Sequence, residues 1–282
     1  MILHIGVGLA GAAAVALTAY WARALSGSGA IAAALVGGTL YALGGLLWYG
    51  LLMVFFVTST GWSKWKKARK QAAEQSYEKG SRRDAGQVLA NGGLGALICI
   101  ACYMKPDPGW VYAFIGVMAS VNADTWATEI GGMSKGMPRS IITGKRVPRG
   151  TSGGVSWLGS VAAAAGAVTI GAAGALTLLV AGDAGNHSRL VMGLDGWTSG
   201  LLILLIALVG GLVGAFSDSL MGATVQRMNR CAVCGNELEQ DRHCGQTAIH
   251  ARGWSWMNND RVNAISSLLG GSAAWAAGIC LF

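Results

Sequence analysis

The stretch WVYAFIGVMASVNADTWATEI, residues 110–130, decides how this chain is read. It begins as a nearly unbroken apolar run and ends with Asn122, Asp124 and Glu129. An apolar run of this length spans a bilayer as one helix. Ionisable groups inside or at the edge of such a span are costly, so function is the default reason for their presence. The acids gather at one end of the span, and a site is expected at that end.

The rest of the chain repeats the pattern. Of its 282 residues 53% are hydrophobic and only 12% charged, with a mean hydropathy of +0.48. An ordinary soluble domain is about one quarter charged, so that class is excluded. Further apolar runs cover 2–20, 30–60, 86–104, 155–181, 197–216 and 262–282. The first lacks a basic leader and reads as a true span. The run at 30–60 is too long for one straight span. Gly44 and Gly45 would divide it into a short re-entrant helix and a full span, or into two short spans. The expectation is an all-α polytopic bundle of seven or eight spans, built from residues 1–217 and 262–282, with 218–261 as a polar loop. The 44 glycines fall mostly in the spans, where small residues let helices approach closely in lipid.

The net charge of +8 is unevenly placed. Lys64, Lys66, Lys67, Arg69, Lys70, Lys79, Arg82 and Arg83 lie in the loop at 61–85. Lys135, Arg139, Lys145, Arg146 and Arg149 lie in 133–153, and Arg227, Arg230, Arg242, Arg252 and Arg261 in 218–261. The intervening loops at 105–109 and 182–196 are short or charge-poor, so the positive-inside rule makes the three large loops cytoplasmic.

Polar residues cluster where these loops meet the spans. Asn122 and Glu129 share a helical face, whereas Asp124 lies off it, so either the helix ends there or Asp124 meets a second group. An N-cap or a salt bridge to a loop arginine is the plain alternative. Hard oxygen ligands of this kind suit Mg²⁺, which borrows its remaining ligands from water and phosphates. Lys145 and Arg149 precede Gly150, Thr151, Ser152, Gly153 and Gly154. Such a loop before a helix start offers backbone N–H groups to an anion, though the order of Lys and glycines is not that of a P-loop. Arg82, Arg83, Gln87 and Asn91 enter the third run, Asp218 closes the sixth, and Asn259, Asp260 and Asn263 open the last.

Of the six cysteines, Cys99, Cys102 and Cys280 lie in apolar spans, where cysteine acts as a small hydrophobe. Cys231, Cys234, His243 and Cys244 instead have the look of a zinc knuckle. Adjacent His243 and Cys244 would not easily bind one tetrahedral ion together, so His250 is a further candidate ligand. A structural Zn²⁺ that orders the loop is expected over a catalytic one.

On these residues the chain resembles a polytopic membrane family that includes plant phytyl-phosphate kinase. The matching strings are FFVTST at 55–60, RRDAGQVLANG at 82–92, NADTWATE at 122–129, GTSGGVS at 150–156, DSLMGATVQ at 218–226 and NDRVN at 259–263. The segment from Asp124 to Gly131, followed by Lys145 and Gly150-Thr151, is also similar to dolichol and phytol kinases, which use CTP. The resemblance implies an isoprenoid-monophosphate kinase, taking a nucleoside triphosphate (CTP by that similarity) and a prenyl monophosphate to the diphosphate. Asp124, Glu129 and Lys145 would be catalytic, with Asn122, Asp124 and Glu129 on Mg²⁺. The cysteine loop is similar to that of bacterial relatives, so a bacterial plasma membrane is expected, with the site facing the cytoplasm. Two rivals use the same residues: a lipid-phosphate cytidylyltransferase, and a transporter or lipid-binding scaffold with the acids as an ion path.

Overall fold

A computed structural model describes residues 2–65, 82–181 and 196–281. The basic residues Lys66, Lys67, Arg69, Lys70 and Lys79, and the loop at 182–195, lie outside the described residues. Among the described residues there are eight α-helices: α1 (Ile2–Trp21), α2 (Gly27–Thr39), α3 (Leu46–Lys64), α4 (Ala85–Met104), α5 (Pro108–Gly131), α6 (Trp157–Ala181), α7 (Gly196–Thr224) and α8 (Asn259–Leu281). Six segments are long and apolar enough to cross a membrane: 27–44, α3, α4, α6, α7 and α8.

Local chemistry sets the helix ends. The long second run breaks where the expectation put it: a π-helical turn, Leu40–Gly44, follows α2, and Gly45 takes φ +76° before α3 starts. That left-handed conformation is open to glycine and strained for other residues. Asp84 caps α4 through a reciprocal box, accepting from Gln87 N at 2.9 Å while Gln87 Oε1 accepts from Asp84 N at 3.2 Å. Asp107 caps α5, with Pro108 in the first turn where its missing N–H costs nothing.

Helix α5 is the axis of the bundle. It is buried continuously from Val111 to Ala123 and packs against α3, α4, α6, α7 and α8. Because protein surrounds it, it can carry a polar end that a lipid-facing span could not. Glycines bring its neighbours close: a Cβ built on Gly210 of α7 would lie 2.7 Å from Gly116 Cα of α5 and 2.9 Å from Gly270 O of α8. Any side chain at that triple junction would force the helices apart.

The helices alternate in direction. Arg83 N donates to Ala24 O at 3.0 Å, Ser26 N to Arg83 O at 2.9 Å, and Lys64 Nζ to Ala22 O at 2.9 Å. The end of α1, the start of α2, the end of α3 and the start of α4 therefore meet at one end. The end of α5, the start of α6, the end of α7 and the start of α8 share that end too, so the loops at 133–153 and 218–261 and the described residues 61–65 and 82–85 lie there.

Seven short strands among the described residues occupy two of these loops. β1 (Arg139–Ser140) pairs with β2 (Gly154–Val155) and closes the α5–α6 loop. Between α7 and α8, β3 (Met228–Arg230) lies between β4 (Glu237–Leu238) and β7 (Ile249–Arg252), while β5 (Arg242–His243) pairs with β6 (Gln246–Thr247). This loop is shorter than 218–261, because α7 continues through Ser217, Asp218 and Ser219 to Thr224 and α8 opens at Asn259.

Candidate functional site

A cavity of about 310 Å³ opens between the last turns of α5 and α7, the first turns of α4, α6 and α8, and the loop before β2. The last turns of α5 contribute Asp124, Thr125, Thr128 and Glu129. Arg83, Gln87 and Asn91 enter from α4 and its N-terminal approach, Asp218 from α7, and Asn259 and Asn263 from α8. Arg149, Gly150, Thr151, Ser152, Gly153 and Gly154 form one wall. Segments far apart in sequence thus converge on one space.

The acids divide into two settings. Glu129 Oε1 accepts from Ser63 Oγ at 2.5 Å and lies near the Arg83 guanidinium. Burial draws that guanidinium down to about 10, and the Glu129 carboxylate opposes the shift. Arg83 also donates to Ser59 Oγ at 2.9 Å and lies over the Phe55 and Phe56 rings. Asp124, which lies off the Glu129 face of α5, shares the cavity with Asp218 of α7 instead. The two carboxylates are close enough to repel each other, and Ser266 Oγ donates to Asp218 Oδ2 at 3.1 Å. Asp124 and Asp218 thus line one cavity from two different helices.

Four carboxylates (Asp124, Glu129, Asp218 and Glu239) and two guanidiniums (Arg83 and Arg149) line the cavity. With all six ionised, the space carries two surplus negative charges. A divalent cation fits that balance, and Asp124 and Asp218 supply hard oxygen donors to the cavity from two helices. Asn122 does not belong to this set. It is fully buried behind the cavity, donating from Nδ2 to Gly166 O at 2.8 Å and accepting from Thr58 Oγ1 at 3.1 Å.

The glycine loop is held from two sides. Gly150 and Gly153 both take φ +80°, and a Cβ on Gly153 would overlap that of Ala223 and lie 2.7 Å from its Cα. The Thr151 and Gly154 amides are engaged in turns, to Pro148 O and Thr151 O. Ser152 Oγ donates to Gln226 Oε1 at 2.7 Å, and Gln226 Nε2 donates to Glu239 Oε1 at 2.9 Å and Asn259 Oδ1 at 3.4 Å. Gln226 and Glu239 were not among the sequence candidates. Gln226 ends a string that flagged the region, whereas Glu239 sits among ordinary loop charges and carries no signal of its own.

Three more candidates lie apart from the cavity. Arg82 Nε donates to Leu25 O at 3.0 Å, with its guanidinium over the Tyr20 ring. Lys145 is exposed in the turn between β1 and β2, its carbonyl accepting from Ser140 N. Asp260 lies in the first turn of α8, where an acid favours the helix dipole, and does not line the cavity.

A second cluster sits in the α7–α8 loop. The ligand atoms of Cys231, Cys234, His243 and Cys244 all lie within 4.8 Å of one another, with His243 Nδ1 at 3.5 Å from Cys234 Sγ and 3.2 Å from Cys244 Sγ. The expected obstacle, the adjacency of His243 and Cys244, is removed by backbone conformation. Cys244 takes φ +50° and Gly245 φ +77°, which turns the thiol back toward the imidazole. His250 lies on β7, outside the cluster. The Cys234 backbone N–H, and then the His243 ring, draw the Cys231 thiol down to about 6. Four soft ligands at this separation fit a tetrahedral zinc.

Fold and site together define a polytopic helical membrane protein with an acidic, glycine-lined cavity at one end. The chain belongs to the DUF92 family of integral membrane proteins, whose model it matches over residues 10–271. It is 31% identical to Protein PGR of Arabidopsis thaliana, over 95% of this chain and 94% of that protein. It is 27% identical to an uncharacterized membrane protein of Methanocaldococcus jannaschii, over 88% of this chain and 84% of the relative. An uncharacterized membrane protein of Synechocystis is 25% identical over 86% of this chain and 80% of its own length. No solved structure matches the chain. The three names state no activity, and relatives from a plant, an archaeon and a cyanobacterium attach no particular membrane to the family.

Proposed function

We propose that this protein is a membrane phosphotransferase that passes a phosphoryl group from a nucleoside triphosphate, CTP by resemblance, to a prenyl monophosphate. The observation that carries the reading is the charge pattern of the cavity, where four carboxylates, two arginines and a glycine loop surround one space. Phosphoryl transfer asks the protein for positioning and charge neutralisation more than for covalent chemistry. The acceptor is already a phosphate oxyanion, so no strong general base is required. Asp124 and Asp218 would hold Mg²⁺, which when bound neutralises charge on the transferring phosphoryl group. Arg83 and Arg149 orient phosphates, Glu129 and Ser59 hold Arg83 in place, and the 150–154 loop approaches the nucleotide phosphates. Fourteen of the fifteen Lys and Arg residues among those described lie at the cavity end, with Lys105 alone at the other, which supports a cytoplasmic cavity.

The transporter reading is weaker, because the cavity sits at the helix ends and transporter sites usually lie near the midplane. The test is direct. Purified protein is given a panel of prenyl monophosphates with CTP, ATP, GTP and UTP plus Mg²⁺, and the lipid products are identified by mass. Gain of one phosphoryl group is expected. Gain of a nucleotide would assign a cytidylyltransferase instead, and an unchanged lipid with every nucleotide would overturn both. In the α7–α8 loop we further infer a structural Zn²⁺ on Cys231, Cys234, His243 and Cys244. It would brace β3–β4 and so hold Glu239 against Gln226.

A further inference from the structure

The cavity has an apolar neighbour. A slot of about 60 Å³ lies among α1, α2, α3 and α4, walled by residues that include Ala16, Ala33, Val36, Leu52, Phe55 and Phe56. Its lining is apolar except for a few groups, and three of these, Arg83, Gln87 and Asn91, also line the acidic cavity. Gln87 and Asn91 are four residues apart on α4, so they present one face along the boundary. Arg83, half-buried, stands at the same boundary with its guanidinium over the Phe55 and Phe56 rings. The packing explains why space remains there. The buried core forms two separate clusters, a large one around α5 and a small one of Ala19, Ala24 and Leu25 where α1 meets α2. Small residues of α1 and α2 line the slot between them.

We propose that this slot receives the hydrocarbon chain of a single-chain lipid phosphate, with Arg83, Gln87 and Asn91 at the point where chain gives way to phosphate. The proposal rests on reading the acidic cavity as a phosphoryl-transfer site. A substrate with a charged head and an apolar tail needs two such spaces in contact, with a cation at the junction, and these residues provide that arrangement. The slot then selects for the tail while the cavity performs the transfer, so Ala33 and Val36 set which chains are accepted.

The test is photo-crosslinking in nanodiscs without nucleotide, using a prenyl monophosphate that carries a diazirine at the tail end. Adducts are expected on slot residues of α1, α2 and α3, and unlabelled prenyl monophosphate should displace them better than the parent alcohol. Ala33→Phe should lower the slot adduct about tenfold, the scale on which an apolar subsite discriminates. The half-buried Ala33→Leu gives a milder block should the larger ring impair folding. Adducts confined to the lipid-facing surfaces of α6 and α7, or a slot adduct unchanged in both variants, would overturn the proposal. Crosslinking needs no turnover, so slot adducts without product would remove the kinase reading alone, and product with adducts elsewhere would remove the slot alone.

Discussion

Asp124 shows how much chemistry a sequence can carry and where it stops. Its position at the end of an apolar run marks it as functional, and the helical wheel separates it from Glu129. No pattern within residues 110–130 names Asp218 as the acid that shares its cavity, because that convergence depends on how α5 and α7 cross. It makes a prediction. Asp124→Asn and Asp218→Asn should each lower transfer by about 10²–10³ and raise the Mg²⁺ concentration needed for half activity. Glu129→Gln should weaken substrate binding through Arg83 without changing the Mg²⁺ requirement. A Mg²⁺ titration of the three variants checks this, and a shifted midpoint in Glu129→Gln alone would reverse the assignment. Asn122 reads as a ligand in sequence because it is polar in a span, yet it ties α5 to α6 and α3. Asn122→Ala removes both of these bonds and should cost about 1–3 kcal/mol of stability. Its melting temperature should fall while KM for the nucleotide holds. Lys145→Ala, in an exposed turn, should keep both.

At the scale of elements, apolar runs give the spans well and their polar ends badly. The break at Gly44–Gly45 was legible because glycine pairs interrupt a helix in a recognisable way. The end of α7 was not, since Asp218 and Ser219 read as the onset of a loop when they are helical residues lining the cavity. The cysteine loop was half legible. Its spacing announced a metal, but the left-handed Cys244 that lets neighbouring residues converge is a backbone fact no spacing reveals. If zinc orders this loop, Cys231→Ser should lose zinc and melting temperature together. Activity should fall with them, because Glu239, Gln226 and Ser152 form one hydrogen-bonded path from β4 to the glycine loop. Elemental analysis of protein prepared without chelator checks the metal, and a stoichiometry near zero would remove it. Gln226→Ala breaks the path without touching the cysteines. It should lower activity while zinc content stays whole.

For the whole molecule the decisive property is that every candidate group of the cavity sits at one end of an eight-helix alternation. Hydropathy and loop charge were enough to anticipate this, because the positive-inside bias acts on loops and needs no tertiary detail. What they could not supply is the central place of α5, which reads in sequence as one apolar span among several. It is stable there because α3, α4, α6, α7 and α8 surround it, so its solvent is mainly protein. The alternation can be tested by sided labelling of introduced cysteines, counted against the labelling of the unaltered protein. Arg23, Lys135 and Arg230 lie at the cavity end and Lys105 at the other. Cysteines at the first three should react from one side of sealed vesicles, and that at Lys105 only from the opposite side. Inverted vesicles should reverse the pattern. Labelling of Lys135 and Arg230 from different sides would separate the glycine loop from Gln226 by a membrane, and neither the cavity nor the transfer chemistry assigned to it could then exist.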